Sequence, residues 1–320
     1  MIKSFRTPFL LLVTFLLSAN VTFSQCCSTG SPVGASVYVG VLSKNTLRVV
    51  GFYRYNYSDT YFEGSHRTAE NSALKFATYN FSGIGLGYGI TKRLTLEADF
   101  GYFFNKTQQF KLIDYKETGF GLSNGGVTIK YGAYLKPAQQ LEITLGAGIR
   151  YPFSFNPQMV DNVQLNRDVQ PSTNAFGASG LFFFNKGFPS ITLRIFSLNR
   201  YDYNFEGKDG YKYGNILMNS VFCSKKIVKY FFGILQVRSE WKTNDQDNGS
   251  KVVNSGFWLC TLSPSLSYSI AGKWNVTALC DIPFYKSYNG KQMTPKYSFA
   301  LSLSRDFNLS RKTKAVIKEK

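Results

Sequence analysis

Nine charged side chains set into otherwise apolar segments are the chemically loaded residues of this 320-residue sequence: Glu97, Asp99, Lys130, Glu142, Arg150, Arg194, Arg238, Glu240 and Asp281. Gln236 shares the pattern. Each has apolar or small neighbours one position away, as Ile129 and Tyr131 flank Lys130 and Ile149 and Tyr151 flank Arg150. Acids and bases so spaced can line a polar passage for a solute, or pair with one another inside a filled interior. They lack the parts of a nucleophilic site. The one histidine, His66, sits beside Glu63 and Arg67 and could act as a general base held by a second polar group, but no nucleophile signature accompanies it. It reads as a solvated loop histidine, and the chain as a non-enzyme with no catalytic residue. Five cysteines cannot all pair within one chain. Adjacent Cys26 and Cys27 could hold a soft metal or form a strained vicinal disulfide; they are a weak metal candidate, with no further Cys or His nearby, and no cofactor is implied. Counted from the turn at 271–273, Cys260 opposes Phe284 and Cys280 opposes Pro264. That offset is too large for a disulfide, so both read as small apolar side chains.

The elements that position the charges are strands. Residues 81–104, FSGIGLGYGITKRLTLEADFGYFF, hold two runs of strict alternation meeting at Thr91-Lys92-Arg93. Leu94, Leu96, Ala98, Phe100 and Tyr102 share one face; Thr95, Glu97, Asp99 and Gly101 share the other. In the first run Gly83, Gly85, Gly87 and Gly89 face opposite to Ile84, Leu86, Tyr88 and Ile90. Period two means strand, and apolar outside with polar or tiny inside over about ten residues is the pattern of a transmembrane β-barrel. Glycines beside the charges leave room for a narrow, mixed-charge passage. Aromatic residues form 17% of the chain while mean hydropathy is only −0.15, as expected when half of each strand faces lipid and half faces water. A secreted β-sandwich is the soluble alternative, and it would have to bury all these strands between two sheets.

The fold class is therefore all-β: a single antiparallel up-and-down barrel of about twelve strands, at 47–55, 78–90, 94–104, 124–135, 141–152, 174–184, 190–198, 215–223, 228–241, 256–270, 274–284 and 296–307. The segment at 215–223 alternates only loosely and is the weakest of these. Pro264 demands a bulge or a missing ladder bond. Every second connection is short and carries lysine (Lys92, Lys136, Lys186, Lys225 with Lys226, Lys273), whereas the others are long and polar. That asymmetry places the short turns in the periplasm and the long loops outside the cell. Residues 1–24 read as a cleaved signal peptide, with Lys3 and Arg6 before an apolar run and small residues before Gln25; bulky Gln25 speaks against acylation of Cys26. Residues 25–45 form a periplasmic or lumenal lead, 46–307 the barrel and 308–320 a basic tail. The location is the outer membrane of a Gram-negative bacterium. Net charge is +18, but no nucleic-acid-binding motif accompanies it, so no nucleic acid is expected as partner. Lysines on the turns and tail suit anionic headgroups instead, and Arg305 snorkels at the rim. An amphipathic last strand ending on Phe307 suits recognition by the barrel-assembly machinery.

CCSTGSP after the leader, RYNYSDTYFEG, GLGYGITKRLTLEADFGYFFNKTQ, LEITLGAGIRYPF and SLSYSIAGKWNVTALCDIPFYKSYNGKQ together resemble a family of bacterial outer-membrane transport barrels. The chain is loosely similar to the meta-pathway phenol-degradation group and more remotely to the long-chain fatty-acid transporters. The resemblance implies a channel for small, hydrophobic or aromatic solutes, and an N-terminal segment able to occupy the lumen. A structural or surface-binding barrel with a filled lumen is the alternative.

Overall fold

The computed structural model describes residues 40–68, 73–112, 114–270 and 274–310. The leader, the Cys26–Cys27 pair, the rest of the lead up to 39, the 271–273 turn and most of the basic tail lie outside the described residues. Eleven strands form one closed ring. They are β1 (Thr46–Gly64), β2 (Leu74–Gly89), β3 (Leu94–Phe110), β4 (Gly125–Lys136), β5 (Leu141–Tyr151), β6 (Gly177–Phe188), β7 (Leu193–Asn204), β8 (Ile216–Val228), β9 (Phe231–Lys242), β10 (Phe257–Ile270) and β11 (Trp274–Asn308). Each pairs antiparallel with the next, and β11 pairs with β1 to close the sheet. No α-helix occurs among the described residues.

Alternation decides the faces. Ile84, Leu96, Ile129, Leu145, Leu301 and, at 63% exposure, Ile149 stand on the outside, while Thr95 beside Leu96, Lys130 beside Ile129 and Thr144 beside Leu145 are 0–1% exposed within the ring. An apolar exterior around polar interior groups is the inverse of a soluble protein and requires lipid. A closed ring also excludes the sandwich. Arg305 lies against the rings of Trp274 and Phe307 at the rim, 4.9 and 4.6 Å from their centroids.

Several expectations need correcting. The two strands expected at 274–284 and 296–307 are one 35-residue element, β11. Its first part pairs with β10 as far as Tyr288, which also opposes Gly64 of β1, and its second pairs with β1 from Lys291 onward. Between them Gly290 takes φ 79°, Lys286 Nζ donates to the Pro295 carbonyl at 3.0 Å, and the Tyr288 hydroxyl donates to Thr294 at 2.7 Å. The outer ends of the strands run further than expected: β1 continues to Gly64, β2 starts at Leu74 and β3 ends at Phe110. Outside lipid the apolar face lapses, so the sequence there resembles loop, yet the backbone ladders continue. The weakest candidate is a complete 13-residue strand, β8, paired along both edges. The β7 start moves to Leu193 because Pro189–Ile191 form a 3-10 turn. Pro264 does remove rungs, since pairing with β11 jumps from Leu262–Ile282 to Ser265–Leu279. A register shift after Cys260 places it opposite Tyr285 rather than Phe284, and Cys223, Cys260 and Cys280 are free thiols.

The inward face is not uniformly polar or tiny either. Phe183, Phe196, Leu198, Met218 and Phe222 pack together inside the β6–β8 wall, with Phe196 and Phe222 stacked at 4.5 Å. Tyr79, Phe81 and Phe103 form a second cluster, joined by Phe52.

If the exterior faces lipid, Ile129→Arg should lower the unfolding free energy by about 2–4 kcal/mol in urea titrations of the protein folded into phospholipid vesicles. An unchanged midpoint would mean that this face does not sit in the bilayer.

Candidate functional site

Asp281 on β11 is the junction of the interior. Its Oδ2 accepts from Arg54 of β1 and Arg238 of β9, each at 3.3 Å, and from Ser298 on the second part of β11 at 2.9 Å. Its Oδ1 accepts from Ser263 of β10. Side chains of β9 and β11, separated by a whole strand, can meet only on the concave side of the wall. Glu240 lies beside this group, with one carboxylate oxygen buried and without a hydrogen-bond partner. The cavity bordered by Arg54, Arg238, Glu240 and Asp281 holds about 40 Å³, room for one or two waters.

Below this level the charges pair locally or bind the chain's own lead. Lys130 Nζ lies 2.8 Å from the Glu97 carboxylate, while Asp99 packs against Gly126. Glu142 accepts from the Val41 amide at 2.7 Å and from Thr144 at 2.7 Å; Thr95 accepts from the Leu42 amide at 2.8 Å. Arg194 donates to Asn185 and lies over the Phe196 ring. Arg48 forms a two-point pair with Asp306 at 2.6 and 2.5 Å.

The glycines expected to leave an open path are instead filled. A Cβ on Gly83 would collide with the Phe52 ring, on Gly101 with Phe81, and on Gly89 with the Ser43 carbonyl. Gly87 is covered by Leu42. Glycine is required here so that other groups can approach the wall closely.

At the opposite end, residues 152–176 fold back over the ring as a strap. Lys106 Nζ donates to the Gln170 carbonyl at 3.0 Å and the Asn166 amide donates to Glu117. The strap's 3-10 turn, Arg167–Val169, buries Asp168 and Val169, which reach a small space also bordered by Asn56, Tyr79 and Lys106. Arg167 pairs with Asp209 at 2.5 Å and its carbonyl accepts from the Tyr213 hydroxyl at 3.1 Å. Burial pushes the Tyr213 phenol far above its ordinary value. For Asp209, slight burial acts upward, but Arg167's hydrogen bond and charge outweigh it and hold the carboxyl below its ordinary value.

All nine charged positions therefore fall on the inward parity, but they form separate groups and not one constellation. Arg200 pairs with Asp202 at 2.8 Å, and Arg150 lies near both. Sequence reasoning passed over Arg54, which follows Arg48, Val50 and Phe52 at two-residue spacing and was findable by the same alternation. Arg200 and Asp202 were missed because the strand was ended at 198.

No protein-family model matches the sequence, and no curated protein does. Among solved structures, an outer-membrane channel from Pseudomonas putida F1 is similar over 84% of this chain and 97% of that one, with 13% identity and a TM-score of 0.66. The NanC porin is similar over 81% and 98%, with 13% identity and a TM-score of 0.46. The translocator domain of the autotransporter NalP from Neisseria meningitidis is similar over 83% and 90%, with 11% identity and a TM-score of 0.46. The first of these carries the comparison of fold: the chain has the β-barrel fold of that outer-membrane channel.

Two predictions follow from the charges. Asp281→Asn removes the carboxylate charge on which two guanidinium groups converge and should cost about 3–5 kcal/mol of unfolding free energy. The triple variant Arg54→Met, Arg238→Met, Asp281→Leu should lose less than this single change. Asp209 has a depressed folded-state pKa, so its contribution is present above the unfolded-state value and disappears as pH falls through the lower folded-state value. A dye attached at Val163 should thus stay immobile at neutral pH and gain mobility, read as lower fluorescence anisotropy, only below the ordinary carboxylate range. Asp209→Asn should show the low anisotropy at every pH.

Proposed function

We propose that the protein is a gated outer-membrane channel for small solutes with an apolar or aromatic part. The passage runs through the interior lined by Glu97, Asp99, Lys130, Glu142, Arg150, Arg194, Arg238, Glu240 and Asp281. The observation that carries this reading is how the interior is closed. At one end Gly40–Leu42 hang from Thr95 and Glu142 by single amide hydrogen bonds. At the other the strap is clipped mainly through polar contacts at Lys106, Glu117 and Asp209. Water can replace such contacts at a net cost of about 1 kcal/mol each, so both closures are displaceable in a way that a packed apolar core is not. The stacked Phe196–Phe222 wall supports the apolar part of the solute.

In this reading β11 reverses at Gly290 and supplies two staves. A ring whose neighbours are all antiparallel must contain an even number, and a 35-residue strand would be several times longer than the bilayer needs. Twelve staves give a lumen between those of filled eight-stranded and open sixteen-stranded barrels. Residues 1–24 are removed on export, 25–45 serve as the periplasmic closure, 46–307 are the barrel inserted by the assembly machinery, and 308–320 are a periplasmic tail.

The second reading, a structural barrel with a filled lumen, draws on the fully buried inner clusters and the small cavity. Planar-bilayer recording separates the two. Replacing residues 156–170 by a short Gly-Ser linker should raise single-channel conductance severalfold over the full chain. If neither protein conducts any ion, the channel reading fails and the filled barrel takes its place.

A further inference from the structure

The outer surface holds a pocket that the passage does not use. At the strand ends nearest the strap, Phe155, Phe176 and Phe205 wall a concavity of about 440 Å³, with Lys208 at its lip. These rings stand where the ends of the strap meet the wall. The Phe205 amide donates to the Phe176 carbonyl at 3.0 Å, and Tyr151, Phe155 and Phe176 pack mutually at 5.4–5.9 Å. Tyr151, Phe176 and Phe205 continue the outward parity of β5, β6 and β7, and each is 47% exposed. An ordinary aromatic girdle presents rings side by side as a flat belt; here they enclose a box.

Height and charge specify what fits. Phe176 lies at the outer end of β6, eleven or twelve residues from the short turn. At ordinary rise and tilt that is about 28 Å, the top of the apolar band and the level of the outer headgroups. The Lys208 ammonium lies 5.0 Å from the Phe155 centroid, and Glu206 lines the same pocket without an ion pair to it. Lys212, from the same hairpin, lies 4.5 Å over Tyr203 with its Nζ 3.2 Å from the phenol oxygen, and Tyr203 packs against Phe205. Asp209 between them is already neutralised by Arg167. An apolar box facing the hydrocarbon, with two ammonium groups against the single carboxylate of Glu206 at headgroup level, keeps a net positive lip and is complementary to an acyl chain bearing a phosphate.

We propose that this pocket binds a phosphorylated, acylated glycolipid of the outer leaflet, one chain entering between Phe155, Phe176 and Phe205 and a phosphate meeting Lys208 and Lys212. The site is independent of whether the barrel conducts. The probe is a bisphosphorylated, hexa-acylated glucosamine disaccharide added to the full-length protein in dodecyl maltoside micelles and read by native mass spectrometry. The wild type should retain one molecule. Lys208→Ala should weaken retention about fivefold, the worth of one cation near an anionic headgroup, and Lys208→Ala with Phe205→Ser more strongly. The dephosphorylated lipid, which loses Lys212 as well as Lys208, should bind the wild type more weakly than the phosphorylated lipid binds Lys208→Ala, and Lys225→Glu at the opposite rim should change nothing. Equal retention by the wild type and the double variant, or no retained lipid, would overturn the proposal. So would equal retention of phosphorylated and dephosphorylated lipid, which would mark a purely apolar girdle contact. Heat-modified gel mobility confirms that each variant is folded.

Discussion

A carboxylate enclosed by a protein wall must find its counter-ions, and at Asp281 that requirement organises the barrel. Two guanidinium groups and two hydroxyls converge on it from β1, β9, β10 and the far part of β11. Its position in the ladder is telling. Pro264 cannot donate a backbone hydrogen bond, and the rungs between β10 and β11 are missing beside Asp281. Ser263, next to that proline, donates its hydroxyl to Asp281. A side-chain tie thus spans the break that the proline opens. Desolvation of three charges offsets much of their mutual attraction, which is why removing one partner should cost more than replacing the whole group.

Much of this was legible in the sequence, because a barrel strand writes its two environments into alternate residues. Leu96 and Glu97, Ile129 and Lys130, Ile149 and Arg150 each declare both faces of a wall. Legibility stopped where the environment ceased to differ between faces. In residues 56–64 of β1 the buried inward positions Asn56 and Ser58 are polar and the other face turns polar at Asp59, so the segment resembles loop while the ladder to β11 continues. The reversal near Gly290 was likewise invisible as one paired element, since 285–295 carry the polar, turn-forming residues of a loop.

The interior was less legible than the wall. Alternation shows which way Gly83 or Gly101 faces, but not what comes to meet it. Phe52 and Phe81 fill those notches from the adjacent strand, and Leu42 and Ser43 arrive from the lead to cover Gly87 and Gly89. Such contacts depend on curvature and closure, which have no period in the sequence. The strap is the extreme case: Asp168 and Val169 are buried by folding back into the ring, from a segment that reads as solvated loop. Elements that open a passage must come from the weakly held part of a structure. The strap, clipped by polar contacts at its edges, meets that condition, whereas the Asp281 junction does not.

The central claim is that the strap gates the passage. With the native cysteines replaced by serine, Glu117→Cys and Asn166→Cys can be joined across the strap's contact with the wall, where the Asn166 amide meets the Glu117 side chain. Single-channel recording of this protein should show a closed barrel when oxidised, and reversible openings once dithiothreitol is added. Conductance that is the same in the oxidised and reduced states would contradict the account.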